Sequence, residues 1–292
     1  MTQFIQQLIN GLSLGSIYAL IALGYTMVYG IIKLINFAHG DIYMLGAYIG
    51  FIVTVYFGFG FFGALITAMI ICAIIGVLIE KIAYKPLRNA TRIAALITAI
   101  GVSYFLQATT QKVMGTSMRT YPDVFKNYMF NLGSIQISLK QIMIFVVTIV
   151  LMIVLQYVVQ KTKIGRSMRA VSVDPDAARL MGINVNNTIS ITFAIGSALA
   201  GAAGVLVGIY YNSISPLMGV VPGVKAFIAA VFGGIGIIPG AMFGGFFIGI
   251  IETLVSGYGS SLYKDAFVYI ILIIVLIVKP TGLLGKNKKE KV

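Results

Sequence analysis

"VPGVKAFIAAVFGGIGIIPGAMFGGFFIGIIETLVSG" (residues 221–257) decides how this chain is laid out. It is either one long apolar element or two arms turning at "GGIGIIPG" (233–240). Glycine and proline are the strongest local punctuators, so two arms are expected, over 221–237 and 241–257. As helices these arms reach only about 25 Å each, less than the ~30 Å of a hydrocarbon core. Half-helices or a re-entrant pair therefore stay open, and such backbone is tolerated only inside protein or along a cavity. The hairpin belongs to the interior of a larger bundle.

Working outward, further apolar runs lie near 4–30, 36–57, 61–79, 93–113, 140–159, 188–211 and 263–279, which gives eight or nine spans in all. The chain is 59% hydrophobic and 10% charged, where a soluble domain carries roughly 25% charged residues. There is too little polar surface to cover a water-soluble globule. The fold class is all-α, a polytopic transmembrane helix bundle forming one domain over 1–292 with the lipid bilayer around it. The first thirty residues have no basic leader region and no small-residue cleavage site, so they are taken as a retained span. The single cysteine, Cys72, sits in an apolar run and is expected to pack in the core.

The formal net charge is +13. In a soluble protein this would suggest nucleic acid. Here the bases fall in short segments between spans, so the positive-inside rule explains them and no nucleic-acid partner is needed. Lys81, Lys85, Arg88 and Arg92 form one cluster, and Lys161, Lys163, Arg166, Arg169 and Arg179 a second. Lys279, Lys286, Lys288, Lys289 and Lys291 form the third. Placing all three in the cytoplasm needs an even number of crossings between them. Two spans separate the first pair, and four the second if 221–257 is a hairpin with a cytoplasmic turn. The cytoplasmic segments are then about 81–92, 160–187 and 280–292, the N-terminus is outside, and the loop 114–139, with Arg119, Asp123 and Lys126, is extracytoplasmic. The expected place is the bacterial cytoplasmic (inner) membrane.

Catalytic chemistry is not legible. No G-x-x-x-x-G-K-[ST] phosphate loop occurs. One His and one Cys cannot make a metal cluster, and no nucleophile–base set stands out, so the chain reads as a non-enzyme with no catalytic or metal residues. Ionisable groups inside the spans are few. "INFAHGDIYM" (35–44) carries Asn36, His39 and Asp41, with Asn36 placed to cap a helix and Asp41 to suit its positive end. Glycine and polar residues there predict an interrupted helix, which transporters use along their pathways. Lys225 and Glu252 stand at similar depth on the two hairpin arms. They read either as a structural ion pair or as a gate for a zwitterionic solute. These five residues are the candidate pathway.

Small residues mark helix contacts. Gly196, Ala200, Gly204 and Gly208 recur every four residues, as do Gly236, Gly240 and Gly244, and Gly46 with Gly50. Such faces let backbones approach closely. They read as packing seams or as moving hinges.

"DPDAARLMG" (174–182) is different in kind. Asp174 is a favoured N-cap and Pro175 suits the first helical position. Asp176 complements the dipole, Ala177 to Met181 are good helix formers, and Gly182 can stop the helix. About two turns result, too short to stand alone in water. Ala177, Leu180 and Met181 share one face, which suits either its own protein or a groove in a soluble partner.

"DAARLMG" (176–182) is similar to the E-A-A-x-x-x-G loop of ABC importer permeases, with Asp in place of Glu and without the later Leu-Pro. "GLSLGSIYALIALGYTMVYGIIKLINFAHGDIYMLGAY" (11–48), "EKIAYKPLR" (80–88), "KAFIAAVFGGIGIIPGAMFGG" (225–245) and "VLIVKPTGLLG" (275–285) jointly resemble the branched-chain amino-acid ABC transporter permease family, its first permease subunit in particular. The resemblance implies a cytoplasmic coupling helix. The coupling loop comprises Gly165, Arg166, Arg169, Asp174, Pro175, Asp176, Ala177, Ala178, Arg179 and Gly182. It also implies a second homologous permease subunit, two ATPase subunits holding ATP and Mg, an extracytoplasmic solute-binding protein, and no cofactor on this chain. The expected function is import of leucine, isoleucine or valine by alternating access. A permease for a sugar or small amide, or an ion-coupled secondary transporter, remains the alternative.

Overall fold

The computed structural model describes residues 2–88, 90–125, 128–133 and 135–285. Lys126, Lys286, Lys288, Lys289 and Lys291, counted above among the charges, lie outside the described residues. Among the described residues eleven α-helices follow one another: α1 (Thr2–Ile32), α2 (His39–Phe57), α3 (Phe61–Ile79), α4 (Arg92–Met114), α5 (Leu139–Lys161), α6 (Lys163–Val173), α7 (Pro175–Leu180), α8 (Val185–Tyr211), α9 (Val220–Gly233), α10 (Ile238–Tyr258) and α11 (Lys264–Val278). A π turn over Glu80–Tyr84 extends α3. Among the described residues seven helices are long and apolar enough to cross a membrane: α1, α2, α3 with its extension, α4, α5, α8 and α10.

The hairpin turns where glycine and proline predicted, between Gly233 and Ile238. Its arms are unequal, which corrects the expectation of two short ones. Pro239 lies in the first turn of α10, which then runs 21 residues, whereas α9 has 14 and reaches about 21 Å. Gly236 is not on the α10 face with Gly240 and Gly244. It belongs to the turn, at φ +92°, so its four-residue spacing is coincidental.

The two ends of the bundle are identified by what meets there. The 234–237 turn lies against Gly30 and against Thr281 and Gly285. Leu283 and Leu284 N–H groups donate to the Phe232 and Gly233 carbonyls at 2.8 and 3.2 Å. The Arg169 guanidinium donates to the Val159 carbonyl at the end of α5. The second basic segment and the described residues 281–285 thus share one end of the molecule with the hairpin turn. At the other end, Gln6 bonds the Gln136 backbone at 2.9 Å and Gln3 the Gly257 carbonyl at 3.3 Å.

The bundle is all-α, as expected, and that other end adds a few short strands. β2 (Met129–Leu132) pairs antiparallel with β3 (Ile135–Ser138), and β1 (Arg119–Thr120) pairs with β4 (Ser213–Ile214). Tyr121 follows β1 and is buried against Gly208 and Gly50.

α1 and α8 form the centre, and glycines close it. A Cβ on Gly204 would sit 2.1 Å from the Tyr43 carbonyl oxygen, one on Gly46 2.5 Å from Gly201 Cα, and one on Gly249 2.3 Å from Gly15 Cα. Gly196 faces Gly24, while Gly240 and Gly244 press on Gly233 and Ala229 of α9. These contacts gain dispersion energy over short distances.

Candidate functional site

The basic end presents the segment 165–182 that the sequence singled out. Thr162 caps α6 by accepting from the Gly165 N–H at 3.1 Å. Gly165, Met168 and Val171 face inward, with Gly165 so close to the Val159 carbonyl that no side chain fits. Arg166 and Arg169 remain exposed. A separate helix over 163–173 was not anticipated, because its apolar residues are sparse among bases. Asp174 Oδ1 accepts from the Asp176 and Ala177 N–H groups at 2.9 and 3.0 Å, and Pro175 opens α7. Gly182 stops it at φ +80°. Ala178 packs inward, while Pro175, Asp176, Ala177 and Arg179 are exposed. Asp176 and Arg179 pair at 2.9 Å on the surface. Leu180 and Met181 are 89% and 82% exposed. α7 therefore offers two large apolar side chains on a preformed helix and buries neither.

Residues 33–38 interrupt the path between α1 and α2, as expected. His39 opens α2 against Gly24, well before the end of α1, so α2 begins inside the bundle. Asn36 does not cap it. Its Oδ1 accepts from the Tyr84 hydroxyl at 2.8 Å, and no side chain caps α2. α2 starts only at His39, so Ala38 occupies the cap position and Asn36 lies two residues before it. His39 is buried edge-on to the Tyr25 ring. Asp41 lies in the first turn of α2, and Gln107 Nε2 donates to its Oδ1 at 3.0 Å. Gln107 also donates to Ser103 Oγ at 3.1 Å. Asp41, Ser103 and Gln107 line a cavity of 340 Å³ between α2, α4 and α9, walled elsewhere mainly by apolar side chains. Gly40 of α2 and Gly219 before α9 touch backbone to backbone beside it, so the N-terminal ends of two helices converge there. Asn36 and His39 do not line it.

Lys225 and Glu252 are elsewhere, on the opposite face of α9, and they pair at 2.7 Å. Sequence depth predicted this contact. Two partners were missed: Asp265, 2.6 Å from Lys225, and Lys264, 3.4 Å from Glu252. The Tyr18 hydroxyl donates to the second Glu252 oxygen at 2.8 Å. The only available signal was the charged pair at the start of the last span. A further buried acid, Glu80, is paired with Arg88 and accepts from Ser190 at 2.6 Å. Arg88 also reaches Asn186 at 2.5 Å, tying the first basic segment to the start of α8.

The sequence matches, over residues 7–276, the family described as branched-chain amino acid transport system / permease component. It is 45% identical over 306 residues to the high-affinity branched-chain amino acid transport system permease protein LivH of Salmonella typhimurium, covering 99% of this chain and 98% of that protein. BraD of Pseudomonas aeruginosa, a permease protein of the same description, is 44% identical with 99% and 98% covered. The probable branched-chain amino acid transport permease protein LivH of Methanocaldococcus jannaschii is 32% identical, with 94% and 90% covered. With seven membrane-length helices and a match over nearly its whole length, this multi-pass inner-membrane chain belongs to the family of branched-chain amino acid transport system permease components.

Proposed function

We propose that this chain and a second homologous permease subunit together carry leucine, isoleucine and valine inward. Two ATPase subunits drive the step and an extracytoplasmic solute-binding protein supplies the amino acid. The chain binds no cofactor, and ATP with Mg belongs to the ATPase subunits. All of residues 1–292 form one transmembrane domain of nine passes, α9 and α11 included. Its N-terminus is outside and its segments 81–92, 160–187 and 280–292 are cytoplasmic.

The observation that carries this reading is α7. Its cap and stop are complete, yet Leu180 and Met181 stand in solvent. An apolar pair on a preformed helix at the basic end suits a groove in a soluble partner. From Gly182 the chain passes within three residues into α8, the central helix. A push on α7 thus reaches α8 directly. α8 is locked to α2 and α3 through Gly201 and Gly204, so these helices swing together. Alternating access then follows as ATPase closure rocks this rigid group against the second permease. Because the centre is closed by glycine contacts, the solute pathway runs along a flank of this chain.

Reconstitution tests the reading. The assembled transporter in proteoliposomes should take up leucine only with ATP and the binding protein present. Uptake that follows a proton or sodium gradient without ATP would overturn it.

A further inference from the structure

Three carboxylates are buried in the described bundle: Asp41, Glu80 and Glu252. Glu80 has Arg88 and Glu252 has Lys225. Asp41 is 2% exposed, and among the described residues no ion pair includes it. The side chains that bond it, the Gln107 amide and the Ser103 hydroxyl, are both neutral. An ionisable group inside a membrane protein is costly to keep without a partner, and such groups mark substrate pathways. Asp41 is also the buried acid that faces the 340 Å³ cavity.

From this geometry we infer that the cavity between α2, α4 and α9 is a transit site for the amino acid, with Asp41 receiving its ammonium group. The inference rests on the reading of the chain as an amino-acid permease. A zwitterion needs a second element besides an anion for its ammonium: a place for its carboxylate. The N-terminal end of α9 supplies it, since Gly219, Val220 and Gly223 line the cavity and a helix start favours negative charge. A branched aliphatic side chain needs an apolar wall. Leu96 and Ile100 of α4 and Val224 of α9 provide one. Gln107 and Ser103 hold the carboxylate of Asp41 in place and are positioning residues. Leu96, Ile100 and Tyr104 are 38%, 41% and 67% exposed, so the cavity opens on the flank of the bundle. A solute there can be passed along a path that this chain shares with a second subunit.

The test uses the assembled transporter with its binding protein and ATPase subunits in proteoliposomes. Asp41→Asn keeps the size of the side chain and the acceptor for Gln107 but removes the charge. A hydrogen bond to a charged group contributes enough that leucine uptake should fall roughly tenfold or more. ATP hydrolysis stimulated by the binding protein should persist within about twofold, since α7 is untouched and a twofold change is well under 1 kcal/mol. A merely structural Asp41 would lower both together. Occupancy is read directly by placing a thiol in the cavity, as Ser103→Cys or, on the opposite wall, Val224→Cys. Native Cys72 is fully buried and gives little background. Leucine during turnover should slow alkylation by N-ethylmaleimide when Asp41 is present and not when it is Asn. Wild-type uptake by Asp41→Asn, or alkylation at both positions untouched by leucine in a transporter that still moves it, overturns the site. If the wild-type assembly moves no leucine at all, the reading as a branched-chain amino acid permease fails instead.

Discussion

Lys225 Nζ lies 2.7 Å from Glu252 Oε1 and 2.6 Å from Asp265 Oδ1, so one buried lysine joins α9 to both α10 and α11. Losing one partner of a buried pair costs about 3–5 kcal/mol when nothing replaces it. Here each partner keeps a second contact. Glu252→Gln retains the Tyr18 bond and leaves Lys225 with Asp265, so its loss should be about 1–3 kcal/mol. Lys225→Met, which takes the ion pair from Asp265 and leaves Glu252 with Tyr18 and Lys264, should be worse. The double variant Lys225→Met/Glu252→Met should recover part of the loss. Thermal unfolding of the purified chain in detergent measures all three. A recovered double variant that assembles but no longer transports would identify the pair as a gate rather than a strut.

The other buried acid gives a sharper contrast. Arg88→Met leaves Glu80, which is fully buried, with only the Ser190 hydroxyl. Destabilisation of about 3–5 kcal/mol is expected, and Glu80→Gln in the same chain should relieve most of it. If the single and double variants unfold at the same temperature, Glu80 is not charged in the folded protein.

Two glycines test packing against backbone conformation. An alanine Cβ at Gly244 would lie 1.9 Å from the Ala229 carbonyl oxygen, so Gly244→Ala must push α9 and α10 apart. Overpacking of this kind costs about 1–3 kcal/mol or more. Gly236→Ala has room, its nearest neighbour being 3.6 Å away, but requires φ near +92°. That strain is worth about 1–2 kcal/mol. Disulfide trapping of cysteines placed across the α9–α10 seam should slow in the first variant only.

α7 predicts a separation of folding from coupling. Leu180→Ser and Met181→Ser alter exposed side chains, so the isolated chain should unfold within about 0.5 kcal/mol of wild type. Stimulated ATP hydrolysis and uptake should both drop. Asp176→Arg places a cation in the first turn, against the helix dipole. Gly182→Val forces a β-branched residue to φ +80°. Both should lose uptake while the protein still inserts. Full uptake and stimulated ATP hydrolysis in Asp176→Arg and Gly182→Val would remove α7 from the coupling route.

Much of this arrangement is legible in the residues, and the misses have physical causes. "GGIGIIPG" gave away the hairpin turn because glycine and proline act locally, and Asp174 and Gly182 bounded α7 for the same reason. The Lys225–Glu252 contact followed from counting along two arms. Asn36 was misassigned because α2 starts only at His39, which puts Ala38 and not Asn36 at the cap position. Ser103 and Gln107 went unnoticed, although their i, i+4 spacing puts them on one face of α4. Nothing in that spacing says that the face meets Asp41, since only tertiary packing brings α4 to α2. The short strands near the N-terminal end of the bundle escaped because a four-residue alternation is too brief to stand out in so apolar a chain.

The strap formed by Leu283 and Leu284 has a consequence for biosynthesis. Phe232 and Gly233 present carbonyls whose donors are synthesised only after α10 and α11. Gly282 then fills the space beside Gly234 and Val231. The hairpin can enter the bilayer early, but its turn is latched last. The order of translation is thereby written into the fold, and a nascent chain halted before residue 282 would carry an unfinished turn for quality-control proteases to find.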